Sequence, residues 1–95
     1  MKIVSVKNVD DCLEASNVRD FYFNTKISKK FIDYLSVLGK FIYADEFEKP
    51  YFKVIVKGKY TIKGALGNKI IRMLLPEQNG DKYVDELISY INDYK

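Results

Sequence analysis

Residues 20–27 alternate Phe21, Phe23, Thr25 and Ile27 against Asp20, Tyr22, Asn24 and Lys26. A period of two sends the first set to one face of a strand and the second to the other, so a half-buried strand is expected here. At Ser28 the period lengthens. Phe31, Tyr34, Leu35 and Leu38 recur at helical spacing, Ser28 offers the hydroxyl of an N-cap, and Gly39 suits a left-handed stop. Residues 40–47 return to extended pairing. A strand–helix–strand unit of this length closes most simply as a right-handed crossover with its two strands parallel.

From Tyr51 the pattern sharpens. Phe52, Val54, Val56, Tyr60 and Ile62 take even positions, while Lys53, Lys57, Lys59 and Lys63 take odd ones. One face is therefore apolar and the other a comb of lysines. Gly58 permits a bulge in one long strand or a tight three-residue turn, and the long bulged strand is the preferred reading. GALGN then turns the chain, and KIIRMLL forms a further strand, buried on most of its length, that Pro76 stops.

The two ends complete the set. Residues 3–7 form a short strand with Val4 and Val6 on one face, and DDCLEAS resembles a brief helix because Asp11 and Glu14 have capping-box spacing. In the tail, Asp81 caps a helix whose Val84, Leu87, Ile88 and Ile91 make a stripe to lay on a sheet. Tyr83, Tyr90 and Tyr94 run beside that stripe, either bordering the core or presenting a second contact strip.

These elements assemble as one α+β domain over residues 1–95. The expected architecture is a two-layer sandwich: a mixed, mainly antiparallel sheet of four or five strands, with helices 28–38 and 81–94 on one face. A βαββαβ order is a variant, from which a final helix with no strand after it departs. No repeat, low-complexity run or linker divides the 95 residues.

Composition narrows the chemistry. With 47% hydrophobic and 31% charged residues the chain is too apolar for a disordered segment. It contains no histidine, which removes serine–histidine, cysteine–histidine and histidine–metal chemistry. Cys12 is the single cysteine, so one chain builds neither an internal disulfide nor a multi-cysteine metal site. A reducing, cytoplasmic setting is the simplest expectation. The first residues lack the apolar run of a signal peptide and nowhere do 18 apolar residues run together, so membrane insertion is not expected.

The distribution of charge is more informative than any motif. Residues 51–76 carry Lys53, Lys57, Lys59, Lys63, Lys69 and Arg72 with no acid, whereas the first fifty residues balance and residues 77–95 set two lysines against five acids. The net charge of +3 is thus strongly segregated. Lysines at alternate strand positions stand about 7 Å apart, a spacing that suits successive phosphates, and Tyr22, Tyr43 or Tyr51 adds stacking if it shares their face. An open sheet face also uses lysine simply to stay wet and to discourage edge pairing, and that bland role is the commoner one.

Other candidates carry less. The glycines of residues 57–72 match neither GxGxxG nor GxxxxGK[ST], and Gly64 and Gly67 suit turn positions of positive φ. Cys12, among Asp10, Asp11 and Glu14, is expected to be buried filler rather than a reactive thiol. Asp45, Glu46 and Glu48 lack a cation-loop spacing and suit a solvated turn. Lys29 and Lys30 oppose the dipole at a helix start, a hint of an anion or an acidic partner.

The function expected from these residues is a small non-enzymatic interaction or regulatory domain that pairs with itself or another protein through a sheet edge or the tail helix. The alternative is a nucleic-acid-binding protein that uses Lys53, Lys57, Lys59, Lys63, Lys69 and Arg72 on an open sheet face. No catalytic residue, cofactor site or metal site is assigned.

Overall fold

A computed structural model describes residues 1–10, 17–46 and 48–95. The expected helix over DDCLEAS, with Cys12, lies outside the described residues. The elements run β1 (Ile3–Asn8), β2 (Asn17–Phe23), α1 (Lys29–Ser36), β3 (Lys40–Ala44), β4 (Tyr51–Val56), β5 (Tyr60–Ala65), β6 (Ile70–Leu75) and α2 (Gly80–Asn92). They form an α+β fold, as the sequence predicts.

The sheet has six strands in the order β1-β2-β6-β5-β4-β3, and every neighbouring pair is antiparallel. This corrects the expected four or five mixed strands. The count rises because Lys57–Lys59 form a turn, closed by the Lys59 N–H donating to the Val56 carbonyl at 2.9 Å, so one expected bulged strand is really the hairpin β4–β5. The expected parallel crossover also fails as a pairing. β2 and β3 do share a direction, but β6, β5 and β4 lie between them, and the meander β3–β4–β5–β6 needs only short turns. Among the described residues the order is ββαββββα, with four consecutive strands after α1 and no strand after α2, which the βαββαβ variant does not allow.

One continuous core lies between the sheet and the helix layer. Phe21 and Phe23 of β2, Phe52 and Val54 of β4, Ile62 of β5, and Ile71 and Met73 of β6 pack with Phe31, Ile32 and Leu35 of α1 and with Val84, Leu87 and Ile91 of α2. Both helices therefore cover one face of the sheet. Ser28 caps α1 as expected, its Oγ accepting the Phe31 N–H at 3.1 Å. α1 ends at Ser36, and Gly39 is not its left-handed stop: a Cβ there would stand 2.3 Å from the Ile55 carbonyl oxygen, so glycine is needed for close backbone approach to β4.

Other boundaries shift for local reasons. β2 ends at Phe23, yet Ile27 still reaches the core. A bulge between Ile3 and Ser5 turns Val4 outward and sends Ile3 and Val6 inward, replacing the expected Val4–Val6 face. β6 alternates rather than being buried throughout, with Ile71, Met73 and Leu75 inside and Ile70, Arg72 and Leu74 half-exposed. Asn79, not Asp81, stands at the cap of α2, with a positive φ of 65° and no side-chain cap bond; Asp81 lies in the first turn.

The three tail tyrosines border the core. Tyr90 stacks on Tyr34 with ring centroids 4.3 Å apart, Tyr94 meets Phe31 edge-on at 5.0 Å, and Tyr83 approaches Tyr60 at 5.9 Å. Two reciprocal hydrogen bonds join the helix ends: the Tyr34 hydroxyl donates to the Tyr90 carbonyl at 2.5 Å, and the Tyr90 hydroxyl to the Tyr34 carbonyl at 2.6 Å. Each carbonyl is among the last four of its helix, the ones left without an intrahelical donor. Each helix thus caps the C-terminal turn of the other.

Candidate functional site

The face of the sheet opposite the helices is built by the alternate strand positions. Register fixes its central row directly: Lys7 of β1 pairs with Asp20 of β2, Asp20 with Arg72 of β6, Arg72 with Lys63 of β5, Lys63 with Lys53 of β4, and Lys53 with Ile42 of β3. A second row reads Val18, Leu74, Thr61, Ile55 and Lys40; Val18 is 1% and Asp20 7% exposed, so the face is covered at those β2 positions and open from β6 to β3. Tyr22 and Tyr51 fall on the same side, two residues along from Asp20 and Lys53. Tyr43 does not: it lies beside Phe41 on the helix side, beneath Lys29.

The six expected cations divide into three groups. Lys53, Lys63 and Arg72 come together in one cross-strand row. Lys57 and Lys59 occupy the β4–β5 turn at one end of the sheet, and Lys69 the β5–β6 turn at the other. The comb is therefore a cluster of three with outliers. Gly64 is not a turn glycine: it lies within β5, where a Cβ would meet Phe52 and Ile71 side chains at 3.1 Å, whereas Gly67 does adopt φ 83° in the turn.

The sequence pattern did not single out Asp20, Lys7 or Lys40 for this face. Asp20 is only 7% exposed and accepts a forked pair from Arg72, Nε to Oδ1 at 2.8 Å and Nη2 to Oδ2 at 3.0 Å. A two-point guanidinium–carboxylate contact fixes the plane of the guanidinium as well as its position. Lys7 lies over the Tyr22 ring, 5.2 Å from its centroid. For Asp20 the available signal was alternation: an acid directly before Phe21 on a strand of period two faces away from the core.

A shallow depression of about 650 Å³ opens in this face, with Tyr51, Lys53, Lys63, Arg72, Asn68 and Ile70 among its lining residues. Its cause is a difference in side-chain size. Ala65 is the register partner of Tyr51 and fills little of the space between that ring and the β6 side chains. Tyr51 is 44% exposed at the margin.

The charges are laid out asymmetrically. Among the described residues, the strand positions of the open face hold Lys7, Lys40, Lys53, Lys63 and Arg72 against the single acid Asp20. On the opposite layer α2 exposes Asp81, Asp85 and Glu86 against Lys82. Lys29 on α1 is exposed and has partners on the protein surface: its ammonium pairs with Asp33 one turn on at 2.5 Å and lies 5.1 Å from the Tyr43 ring centroid. The bond to Asp33 raises its pKa above the ordinary lysine value.

Asp45, Glu46 and Glu48 are exposed in the turn after β3. Among the described residues no group of three histidine, cysteine, aspartate or glutamate side chains is placed to hold a metal ion, and no helix is long and apolar enough to cross a membrane. The chain matches no protein-family model, no curated protein and no solved structure.

Proposed function

We propose that the chain is a non-enzymatic interaction module that receives a negatively charged partner on the open face of its sheet. The observation that carries this reading is the row Lys53–Lys63–Arg72, with Asp20 the one acid among the described strand positions of that face. Cations gathered on a low-dielectric sheet surface raise the local concentration of an anionic partner and speed its encounter.

Other routes of association have less support. Face-to-face pairing of two copies about a two-fold axis would set one cationic row against another, a like-charge contact that costs energy. The tail-helix strip is already used, since Tyr83, Tyr90 and Tyr94 pack on the protein's own aromatic residues. The β1 edge carries a bulge, a device that discourages strand addition.

Retention on an immobilised sulfated polysaccharide tests the proposal. Wild-type protein is expected to elute late in a salt gradient, and Lys53→Glu with Lys63→Glu markedly earlier. Lys82→Glu on α2 is expected to elute close to wild type. Unchanged elution of the double variant would remove the open face from the reading.

A further inference from the structure

We infer that the partner on this face is a single-stranded nucleic acid, with a base stacked on Tyr51 and its phosphates against Lys53 and Lys63. The inference rests on the reading of the open face as a polyanion surface and adds the chemistry of the occupant. Charge alone does not select among polyanions. The ring beside the charge does.

Tyr51 lines a depression together with Lys53, Lys63 and Arg72, and with Asp20, whose carboxylate is held by Arg72. Tyr51 is 44% exposed, one of the few large hydrophobic residues on the surface among the described residues. A base has an apolar face for such a ring and a phosphate attached for the neighbouring ammonium groups, so one nucleotide uses both features at once. The depression, at about 650 Å³, falls within the range of small-ligand sites. Arg72 adds a guanidinium whose plane is fixed by Asp20, a donor already oriented before anything binds.

Two other polyanions use the surface less fully. A duplex offers phosphates but keeps its bases stacked, so it makes no use of the exposed part of Tyr51. An acidic peptide pairs with the cations and has no planar group for the ring. Both are arms of the test.

The experiment is fluorescence anisotropy with a labelled mixed-sequence single-stranded oligonucleotide, a duplex of the same length and a labelled polyglutamate, each titrated at low and moderate salt. The single strand is expected to bind at least about tenfold more tightly than the duplex. Its affinity should fall with salt at a slope of about −1.4, as expected for about two phosphates neutralised by Lys53 and Lys63. Tyr51→Ala is expected to weaken single-strand binding by about tenfold, within the range of lost base stacking, while Tyr51→Phe, which keeps the ring, binds like wild type. Circular dichroism on each variant confirms that the fold is retained.

Equal binding of single strand and duplex, with Tyr51→Ala silent, would overturn the nucleic-acid inference and leave the polyanion reading standing. Preference for polyglutamate would do the same in favour of an acidic protein. No binding of any polyanion at low salt would remove the underlying reading as well.

Discussion

Replacing Tyr34 and Tyr90 by phenylalanine, singly and together, probes how the helix layer is held. The two rings stack at 4.3 Å and an interplanar angle of 19°, so phenylalanine retains the stack and deletes only the hydroxyls. Each deletion removes one hydrogen bond to a terminal helix carbonyl, at 2.5 Å or 2.6 Å. A bond of this kind is worth about 1 kcal/mol net, and more where the stranded acceptor is shielded from water. Both rings are half-buried, so each single change should cost about 1 kcal/mol, equivalent to a melting-temperature fall of about 4–8 °C in a domain of this size. Because each bond holds the ring that makes the other, the double variant should lose less than the sum of the singles, by about 0.5 kcal/mol or more. Urea unfolding followed by circular dichroism gives all three values. Single variants within about 0.3 kcal/mol of wild type would refute the mutual capping, since that difference is below the value of one satisfied hydrogen bond.

Further outcomes follow from the same structure. Asp20→Ala should destabilise the fold by about 1–2 kcal/mol in thermal or urea unfolding; the Arg72 side chain is 36% exposed and solvent screens part of the loss, so the full cost of breaking a buried pair does not apply. Gly39→Ala should cost about 1–3 kcal/mol, because a Cβ 2.3 Å from the Ile55 oxygen forces the β3–β4 pair apart, and slowed exchange of β3 amides in the variant relative to wild type would contradict this. Stability should fall as pH rises above the ordinary tyrosine value of about 10. Desolvation raises the pKa of Tyr34, Tyr60 and Tyr90, with Asp93, Glu86 and the Tyr34–Tyr90 coupling adding to it in turn. Protonated phenols are therefore favoured by folding, and that contribution is present below the unfolded pKa and lost as pH climbs through the raised folded values. Tyr60→Phe should flatten the alkaline fall in melting temperature.

The parts of the fold visible in the sequence were those written in a single period. The even-numbered apolar positions from Phe52 to Ile62 and the stripe from Val84 to Ile91 point inward as their spacing requires, and Ser28 caps its helix because a cap is a local hydrogen bond. Glycine was harder to interpret. Gly58, Gly39 and Gly64 look alike in a sequence, yet the first sits in a hairpin turn and the other two make room for Ile55 and Phe52 across the sheet. Close approach depends on strand order, and strand order depends on contacts between residues far apart in the chain. The candidate face was legible in the same uneven way. Alternation put Lys53 and Lys63 on one side, but only register reveals that Arg72 and Asp20 complete their row while Lys57, Lys59 and Lys69 lie at its ends. Asp20 belongs to a segment whose charge balances overall, so composition gave it no prominence.

Where a polyanion touches the molecule can be read residue by residue. Amide shift mapping of isotopically labelled protein, titrated at low salt with the single-stranded oligonucleotide, reports that contact directly. The largest shifts are expected at Tyr51, Lys53, Lys63 and Arg72, with the exposed turns of α2 unmoved and the whole pattern fading as salt rises. Shifts centred on α2, or a spectrum that does not change at low salt, would contradict a polyanion site on the sheet face.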